Sequence, residues 1–145
     1  MKNSGTIIGI NKNMITVKFE GNVMQNEVAF VLLGENRLKT EVIRIRGNRA
    51  DLQVFEDTRG LKRGDIVEFT GELLSVELGP GLLGKLYDGL QNPLHKMASE
   101  LGLFLQRGKH LNALPEEIEW KFTPCVNPGD KVQASDAVGT VQEGI

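Results

Sequence analysis

Apolar and polar residues alternate along most of residues 1–70, and the alternation stops repeatedly at short breaks rich in glycine and asparagine. Alternation with a period of two is typical of strands that bury one face of a sheet. The pattern predicts six strands, at residues 6–10, 14–19, 27–33, 39–46, 49–55 and 66–69. Because a small antiparallel sheet hides its edges best by closing on itself, we predict a small closed β-barrel over residues 1–70.

Two local features refine this prediction. Residues 27–33 are apolar almost throughout, which predicts a strand that is covered on both faces. Gly47 and Asn48 separate two alternating segments, and they fit a two-residue hairpin turn with glycine first.

Arg44, Arg46 and Arg49 form a candidate basic patch in the fourth and fifth predicted strands. Glu41 and Asp51 are interleaved with these arginines, so we interpret the group as a solvated face of the barrel. The chain of 145 residues has a formal net charge of −2. This charge gives no electrostatic reason to expect nucleic acid or an anionic membrane surface as a partner.

The composition also argues against other classes of protein. The longest apolar run, residues 28–33, is far shorter than the roughly 20 residues that a membrane-spanning helix requires. The single cysteine, Cys125, cannot form an internal disulfide, which favours a reducing compartment. We interpret Cys125 as a small buried apolar residue rather than a nucleophile, because no histidine lies near it in the sequence.

A stretch rich in glycine, proline and leucine follows the predicted barrel, and we interpret residues 71–110 as an ordered connector with a short helix. The residues from Gly79 to Lys85 have the spacing of the phosphate-binding loop G-x-x-x-x-G-K-[ST]. Leu86 stands where that loop needs a hydroxyl group to ligate magnesium, and Pro80 removes one of its backbone N–H groups. We therefore favour a packed turn over a nucleotide site.

Asn92 and Pro93 mark the predicted start of the helix, with Asn92 as its N-terminal cap and Pro93 at its first position. One apolar face follows at helical spacing, made of Leu94, Met97, Ala98 and Leu101. Gly102 is predicted to end the helix. His95 and His110 have no partners at a metal-binding spacing, so we interpret both as surface or packing residues.

The last part of the chain differs in composition, and we predict a second β-rich region over residues 111–145. Trp120 and Phe122 are predicted to pack into a small core. Residues 126–132 predict a strand, a Pro-Gly turn and another strand, and residues 135–141 repeat that pattern in weaker form.

Several segments resemble the N-terminal region of the catalytic A subunit of V-type (archaeal and vacuolar) ATPases and ATP synthases. The segments that carry the resemblance are residues 41–47, 52–61, 64–65, 75–84, 87–91, 93–94 and 102–108. The paired Gly-Asp turns of residues 126–141 resemble an insertion in that subunit, the bulge, which has a strand arrangement like that of lipoyl and biotinyl carriers. The resemblance implies a barrel, a connector and an incomplete bulge.

The resemblance also implies a structural and assembly role. In the family, barrels of alternating A and B subunits form a ring, and the bulge faces the peripheral stalks of a peripheral membrane complex in the cytoplasm. The parent subunit binds Mg-ATP and couples ATP hydrolysis or synthesis to proton or sodium transport, with its phosphate-binding loop further along the chain. For this chain the resemblance implies no catalytic, cofactor-binding or metal-binding residues, no enzyme activity of its own and no direct membrane insertion.

Two alternatives stay open. A nucleotide-binding domain would use the residues from Gly79 to Lys85, and a carrier-like domain would carry a modification on Lys131. Lys131 lacks the tight hairpin and the neighbouring Met or Ala of a true carrier. If the bulge is truncated, the apolar groups around Trp120, Phe122 and Val138 are expected to favour disorder, dimerisation or strand exchange.

Overall fold

The structure is a computed structural model that describes residues 3–102, 107–115 and 117–143. The first six strands are β1 (Ser4–Asn11), β2 (Met14–Phe19), β3 (Glu27–Leu33), β4 (Asn36–Arg46), β5 (Arg49–Val54) and β6 (Ile66–Leu73). One helix follows, α1 (Leu94–Leu101), and then two short strands, β7 (Phe122–Pro124) and β8 (Gly139–Val141). All six strands that the alternation predicts are therefore present.

The first six strands form a closed antiparallel barrel in the order β1-β2-β5-β4-β3-β6, and β6 pairs back to β1. The turn between β4 and β5 has the predicted form, because Gly47 has a φ of 59° whereas Asn48 is not among the residues with positive φ. The predicted fold class, a mainly β chain with a small closed barrel and a short helix, is confirmed.

The barrel core consists of the inward-facing side chains of the six strands. Its buried apolar residues are Ile7, Ile15, Val17, Phe19, Ala29, Val31, Leu38, Val42, Ala50, Leu52, Val54, Val67 and Phe69. In β2 and β5 they occupy every second position, as the alternation predicts. Burial of a side chain such as Leu52 contributes roughly 1.5–3 kcal/mol relative to leaving it exposed.

β4 contains a β-bulge that the alternation does not predict. The pairing of β4 with β5 shifts register, because Val42 lies opposite Leu52 while Arg44 lies opposite Asp51. Val42 is buried and Ile45 packs against the core, whereas Ile43 between them is 36% exposed. The extra residue explains why this strand has apolar residues at both even and odd positions.

The described residues divide into two compact units. Residues 3–75 together with 107–110 form the barrel unit, and residues 76–102, 111–115 and 117–143 form the second unit. The chain therefore leaves the barrel unit after Ser75, returns to it for a short segment and leaves again.

In the second unit, α1 ends before Gly102 as predicted, but it begins at Leu94, one residue later than predicted. Pro93 is the N-cap, with φ −73° and ψ 106°, and no side chain caps the helix. Asn92 instead donates its backbone N–H and its side-chain amide to the two carboxylate oxygens of Asp88, both at 2.8 Å. Gly102 follows the last helical residue with a φ of 84°, and Met97 is the buried residue of the predicted apolar face.

β7 and β8 pair antiparallel as a two-stranded sheet. Residues 126–132 form no strand, so the prediction of two strands around a Pro-Gly turn is wrong. They contain a turn in which the Asn127 N–H donates to Asp130 Oδ2 at 2.8 Å, and the Asp130 N–H donates to the Asn127 carbonyl at 3.1 Å. The Asp130 side chain therefore stabilises the turn, and no pair of hydrogen-bonded strands flanks it.

Among the described residues, three turns share this design: residues 62–65, 127–130 and 133–136. In each, the first N–H donates to the carboxylate of the fourth residue, an aspartate, at 2.8 Å. The third residue has a positive φ, which is 97° at Gly64, 99° at Gly129 and 78° at Ser135. The weak repeat in residues 126–141 is thus a repeat of turns rather than of strands. In its second copy, Ser135 occupies the positive-φ position where glycine is favoured.

Two side-chain predictions for the second unit are wrong. Cys125 is exposed rather than buried, because it lies just beyond β7, where its backbone N–H donates to the Val138 carbonyl at 2.9 Å. Phe122 is 53% exposed and so does not enter a core, although Trp120 is half-buried. A two-stranded sheet of three residues a strand is too small to cover an aromatic side chain on either face.

Candidate functional site

The segment from Gly79 to Lys85, which has the spacing of a phosphate-binding loop, forms turns in an irregular part of the second unit. β6 ends at Leu73 and α1 begins at Leu94, so no strand leads directly into the segment and no helix follows it directly. The N–H of Gly81 donates to the Glu143 carboxylate. The segment therefore lacks the strand–loop–helix arrangement in which free backbone N–H groups cradle phosphates.

Lys131, the candidate carrier lysine, is exposed and lies in the loop of residues 125–138 that connects β7 and β8. It follows directly after the turn of residues 127–130. The loop is long and contains two turns, whereas a carrier domain presents its lysine on a tight hairpin.

The predicted basic patch on the barrel is partly neutralised by its neighbours. Arg46 Nη2 lies 2.8 Å from Asp51 Oδ2, and Asp51 Oδ1 also accepts a hydrogen bond from the Thr16 hydroxyl at 2.9 Å. In the loop after β5, at the opposite end of that strand, the hydrogen bond from the Arg59 side chain holds the pKa of the Asp57 carboxyl below its ordinary value. The Arg46–Asp51 pair fits the interpretation of the patch as a solvated, mixed-charge face.

Residues 107–110, which we name the clasp, lie against the barrel strands although they are far from them in the sequence. Arg107 Nη2 donates to the Arg59 carbonyl at 2.9 Å, and the Gly108 N–H donates to Glu56 Oε2. The other oxygen of Glu56 accepts from the Lys39 N–H at 3.3 Å. Glu56 therefore joins the clasp to β4.

Two further contacts complete the clasp. The His110 ring packs edge to face on Phe30, with ring centroids 6.3 Å apart, and His110 Nε2 lies 3.5 Å from Glu56 Oε1. Gly108 has a φ of 71°, and a β-carbon there would lie 2.9 Å from Asn36 Cβ, so the close approach requires glycine. His110 is thus a packing residue, and Phe30 on the outer face of β3 is half-buried.

Glu27 is a buried carboxylate that the sequence pattern does not predict, and it is only 1% exposed. Its Oε1 accepts the Gly71 N–H at 2.6 Å, and its Oε2 accepts the Met24 N–H at 2.8 Å. It joins the loop before β3 to the end of β6, where the β3–β6 register shifts between Glu27 and Ala29. A glutamate at a strand start gives no sequence signal of burial, since its partners are backbone N–H groups and one of them, that of Gly71, is distant along the chain.

Within residues 3–102, 107–115 and 117–143, no three Asp, Glu, His or Cys side chains come together as a set of metal ligands. The expectation that this chain holds no catalytic, cofactor-binding or metal-binding residue stays a prediction. In the same part of the chain, no helix is both long enough and apolar enough to span a membrane.

Two families match separate parts of the chain. Residues 7–71, which contain the barrel strands apart from their ends, match the family described as ATP synthase alpha/beta family, beta-barrel domain. Residues 111–145, which contain β7 and β8, match the ATPsynthase alpha/beta subunit barrel-sandwich domain.

Relatives match almost the whole chain. It is 60% identical over 143 residues to the V-type ATP synthase alpha chain of Treponema denticola, and 56% identical over 140 residues to the V-type ATP synthase alpha chain 1 of Treponema pallidum. It is 50% identical over 144 residues to the V-type ATP synthase alpha chain of Borrelia garinii subsp. bavariensis. These alignments cover 97–99% of this chain and 24–25% of each relative, so the chain spans about a quarter of the length of these curated relatives. The chain belongs to the V-type ATP synthase alpha chain family, within its N-terminal region.

Proposed function

We propose that this chain contributes assembly contacts, rather than chemistry, to the catalytic A subunit of a rotary V-type ATPase or ATP synthase. The closed barrel carries the proposal, because a closed sheet keeps its apolar side chains inside and can present side-on surfaces to two neighbours in a ring. In this proposal the neighbours are B subunits, which alternate with A subunits around the ring.

The parent subunit binds Mg-ATP through residues outside this chain and couples ATP hydrolysis or synthesis to the transport of protons or sodium ions. The names of the relatives support this part of the proposal. In the proposal, the N-terminal region of the subunit has no nucleotide site and no enzyme activity of its own. In the proposal, the subunit lies on the cytoplasmic side, as part of a peripheral membrane complex.

The proposed organisation has three parts: a barrel over residues 1–70, a connector with α1 over 71–110, and the start of the bulge over 111–145. The limits of the two family matches, 7–71 and 111–145, support this division. The third part is proposed to face the peripheral stalk subunits.

The ring role is tested by adding the chain to full-length A and B subunits and measuring ring formation by sedimentation velocity. We expect the chain to occupy B-subunit contacts and to lower the yield of complete rings as its concentration rises. Asp88→Ala, which alters the second unit, should keep this effect, whereas Leu52→Ala, which alters the barrel core, should weaken it. Undiminished ring formation in excess chain would contradict the proposal.

The absence of a nucleotide site is tested by calorimetry with Mg-ATP. No micromolar binding is expected for the natural chain, for Lys85→Ala or for Lys131→Ala, since neither lysine lies in a phosphate-binding framework. Micromolar binding that disappears in Lys85→Ala would favour the nucleotide-binding alternative. An added mass on Lys131 after co-expression with a lipoyl or biotinyl ligase would favour the carrier alternative.

A further inference from the structure

The closure of the barrel places basic residues from three strands side by side on its outer face. Lys18 of β2 lies directly opposite Arg49 of β5, and Arg49 lies directly opposite Arg46 of β4. We name these three residues the basic row, and all three are exposed. The sequence does not show this arrangement, because Lys18 becomes a neighbour of Arg49 only through the pairing of β2 with β5.

The β-bulge in β4 turns two arginines of that strand outwards. Val42 is buried, so uninterrupted alternation would direct Arg44 and Arg46 towards the core. The register shift between Val42 and Arg44 reverses the alternation, so Ile45 packs against the core and both arginines are exposed. Bulges often change the direction of side chains in this way at functional sites. Arg44 therefore adjoins the basic row on the same face of the barrel.

The basic row is only partly neutralised within the chain. Asp51 Oδ2 lies 2.8 Å from Arg46 Nη2. Among the described residues, none of Lys18, Arg44 and Arg49 has a carboxylate oxygen within 4.0 Å. Like charges directly opposite each other on antiparallel strands lower stability. The row is therefore unfavourable in the free chain, and an anionic partner would offset its repulsion.

The surroundings of the basic row favour an acidic protein segment over a nucleic acid or an anionic membrane. Glu20 follows β2 close to Lys18, and Glu41 and Asp51 lie on the outer face of β4 and β5. These carboxylates limit the cationic surface to a small area, so an extended phosphate backbone would meet like charges. Ile43, which is 36% exposed in β4, offers an apolar contact that a protein partner can use.

We propose that the basic row, together with Arg44, docks an acidic protein segment. Carboxylates of the segment accept charge-assisted hydrogen bonds from Lys18, Arg44 and Arg49, while Asp51 keeps its contact with Arg46. Arginine suits this role, because its planar guanidinium can donate two parallel hydrogen bonds to one carboxylate. The proposal rests on the assembly role and deepens it, since it gives the chemistry of the surface that one neighbour presents to the barrel.

The probe is an end-blocked octapeptide of alternating glutamate and serine, and its neutral counterpart has glutamine in place of glutamate. In a ¹H–¹⁵N NMR titration of the whole chain at about 20 mM salt, we expect saturable binding of the acidic peptide with a Kd on the order of 1 mM. The shifts should centre on residues 16–20 and 44–51. Raising the salt concentration to about 200 mM should weaken binding at least about threefold. The neutral peptide should give no saturable shifts.

Two other anions separate the classes of partner. A thymidine oligonucleotide with the same charge as the acidic peptide should bind more weakly than the peptide, and vesicles that contain phosphatidylserine should not retain the chain. An oligonucleotide that binds as tightly as the peptide, or retention on the vesicles at the same salt concentration, would overturn the choice of a protein partner.

Substitutions separate charge recognition from folding. Lys18→Gln combined with Arg49→Gln should weaken binding of the acidic peptide about threefold to tenfold, since two exposed ion pairs are lost. The melting temperature of this variant should not fall, because the substitutions remove a like-charge contact. The matched control combines Lys12→Gln, in the β1–β2 turn, with Lys131→Gln in the second unit. It removes the same charge outside the basic row and should change the Kd by less than about 1.5-fold.

These measurements use the chain without other subunits, so they can fail while the chain still lowers the yield of complete rings, and the reverse result is equally visible. The absence of saturable binding, binding that is insensitive to salt, equal weakening in the two double variants, or a lower melting temperature of the Lys18 and Arg49 variant would each overturn the docking proposal.

Discussion

The barrel unit and the second unit are held together by different interactions. The barrel buries a contiguous core of thirteen apolar residues inside a closed sheet. Among the described residues of the second unit, only Asn92, Met97 and Ala113 are buried. Large apolar side chains of that unit, such as Leu78 at 82% and Leu83 at 74%, stay exposed.

In the second unit, hydrogen bonds between side chains and nearby backbone groups take the place of a core. Asp88 closes the bend before α1, and Asp130 and Asp136 close two turns. Gln91 exchanges two hydrogen bonds with the backbone of Glu77, at 2.6 and 2.7 Å. Each such bond fixes a few residues, whereas a shared core ties all six strands of the barrel into one cooperative structure.

One chain can thus contain a part that is stabilised mainly by the burial of apolar side chains and a part that is stabilised mainly by local hydrogen bonds. We therefore expect the barrel to unfold in one transition, and the second unit to lose order in smaller steps. The single tryptophan, Trp120, lies in the second unit, so its fluorescence reports that unit while far-UV circular dichroism is dominated by the barrel strands.

The largest effect is expected from Leu52→Ala. Leu52 is fully buried in the barrel core, and its truncation should lower the free energy of unfolding by about 2–5 kcal/mol. Urea denaturation followed by circular dichroism measures this change. Val132 is 51% exposed in the second unit, so Val132→Ala should change the free energy of unfolding by no more than about 0.5 kcal/mol. Equal losses in the two variants would break the distinction between the units.

Glu27→Gln should destabilise the barrel by about 1–3 kcal/mol, because an amide N–H₂ would replace a carboxylate oxygen that accepts a buried backbone N–H. Urea denaturation again measures the loss. Glu72→Gln, which changes an exposed side chain on β6, serves as the control and should have little effect. If both variants were as stable as the natural chain, the Glu27 hydrogen bonds would not contribute to barrel stability.

Gly108→Ala should lower the free energy of unfolding by about 2 kcal/mol, because the positive φ of Gly108 and its close approach to Asn36 both disfavour a β-carbon. The matched control is Gly34→Ala in the β3–β4 hairpin, where φ is 61° but no atom lies within 4 Å of the added carbon. That variant should lower the free energy of unfolding by only about 1 kcal/mol. Hydrogen exchange at residues 107–110 should rise in Gly108→Ala and not in Gly34→Ala.

Asp88→Ala should release the bend before α1 at a local cost of about 1 kcal/mol, since three hydrogen bonds are lost but no core is opened. The amide signals of residues 87–97 should shift in NMR spectra, while the barrel transition stays unchanged. A fall in barrel stability equal to that of Leu52→Ala would show that the two units unfold together.

The smallest effect is a gain in stability from Ser135→Gly. Ser135 has a φ of 78° at a position that is occupied by glycine in the two related turns. Glycine should relieve about 0.5–1 kcal/mol of backbone strain, which Trp120 fluorescence during denaturation should detect. Gly129→Ser, the reverse exchange in the turn of residues 127–130, should lower the stability of the same unit.

The contrast between the units also explains which parts of the fold the sequence could predict. The alternation predicts all six barrel strands, because a strand with one buried face must repeat apolar residues with a period of two. It does not predict the bulge between Val42 and Arg44, since an inserted residue changes the pattern only locally. It also misses the burial of Glu27, whose partners are backbone groups.

The errors concentrate in the second unit, where periodicity carries less information. Asn92 has the residue type and position of a helix cap, but its side-chain amide donates a hydrogen bond to Asp88 and so does not cap the helix. Val126 and Val132 suggest strands, yet the Asn127–Asp130 hydrogen bonds define a turn without a ladder.

The clasp makes the barrel unit discontinuous along the polypeptide. A fragment cut after Ser75 would keep all six strands but would strip His110 from Phe30 and leave Glu56 without the Gly108 N–H. Residues 76–102 therefore behave as an insertion between two parts of one structural unit. A design that excises or fuses this barrel without the clasp would leave the Phe30 ring covered by the Arg37 guanidinium but not by His110.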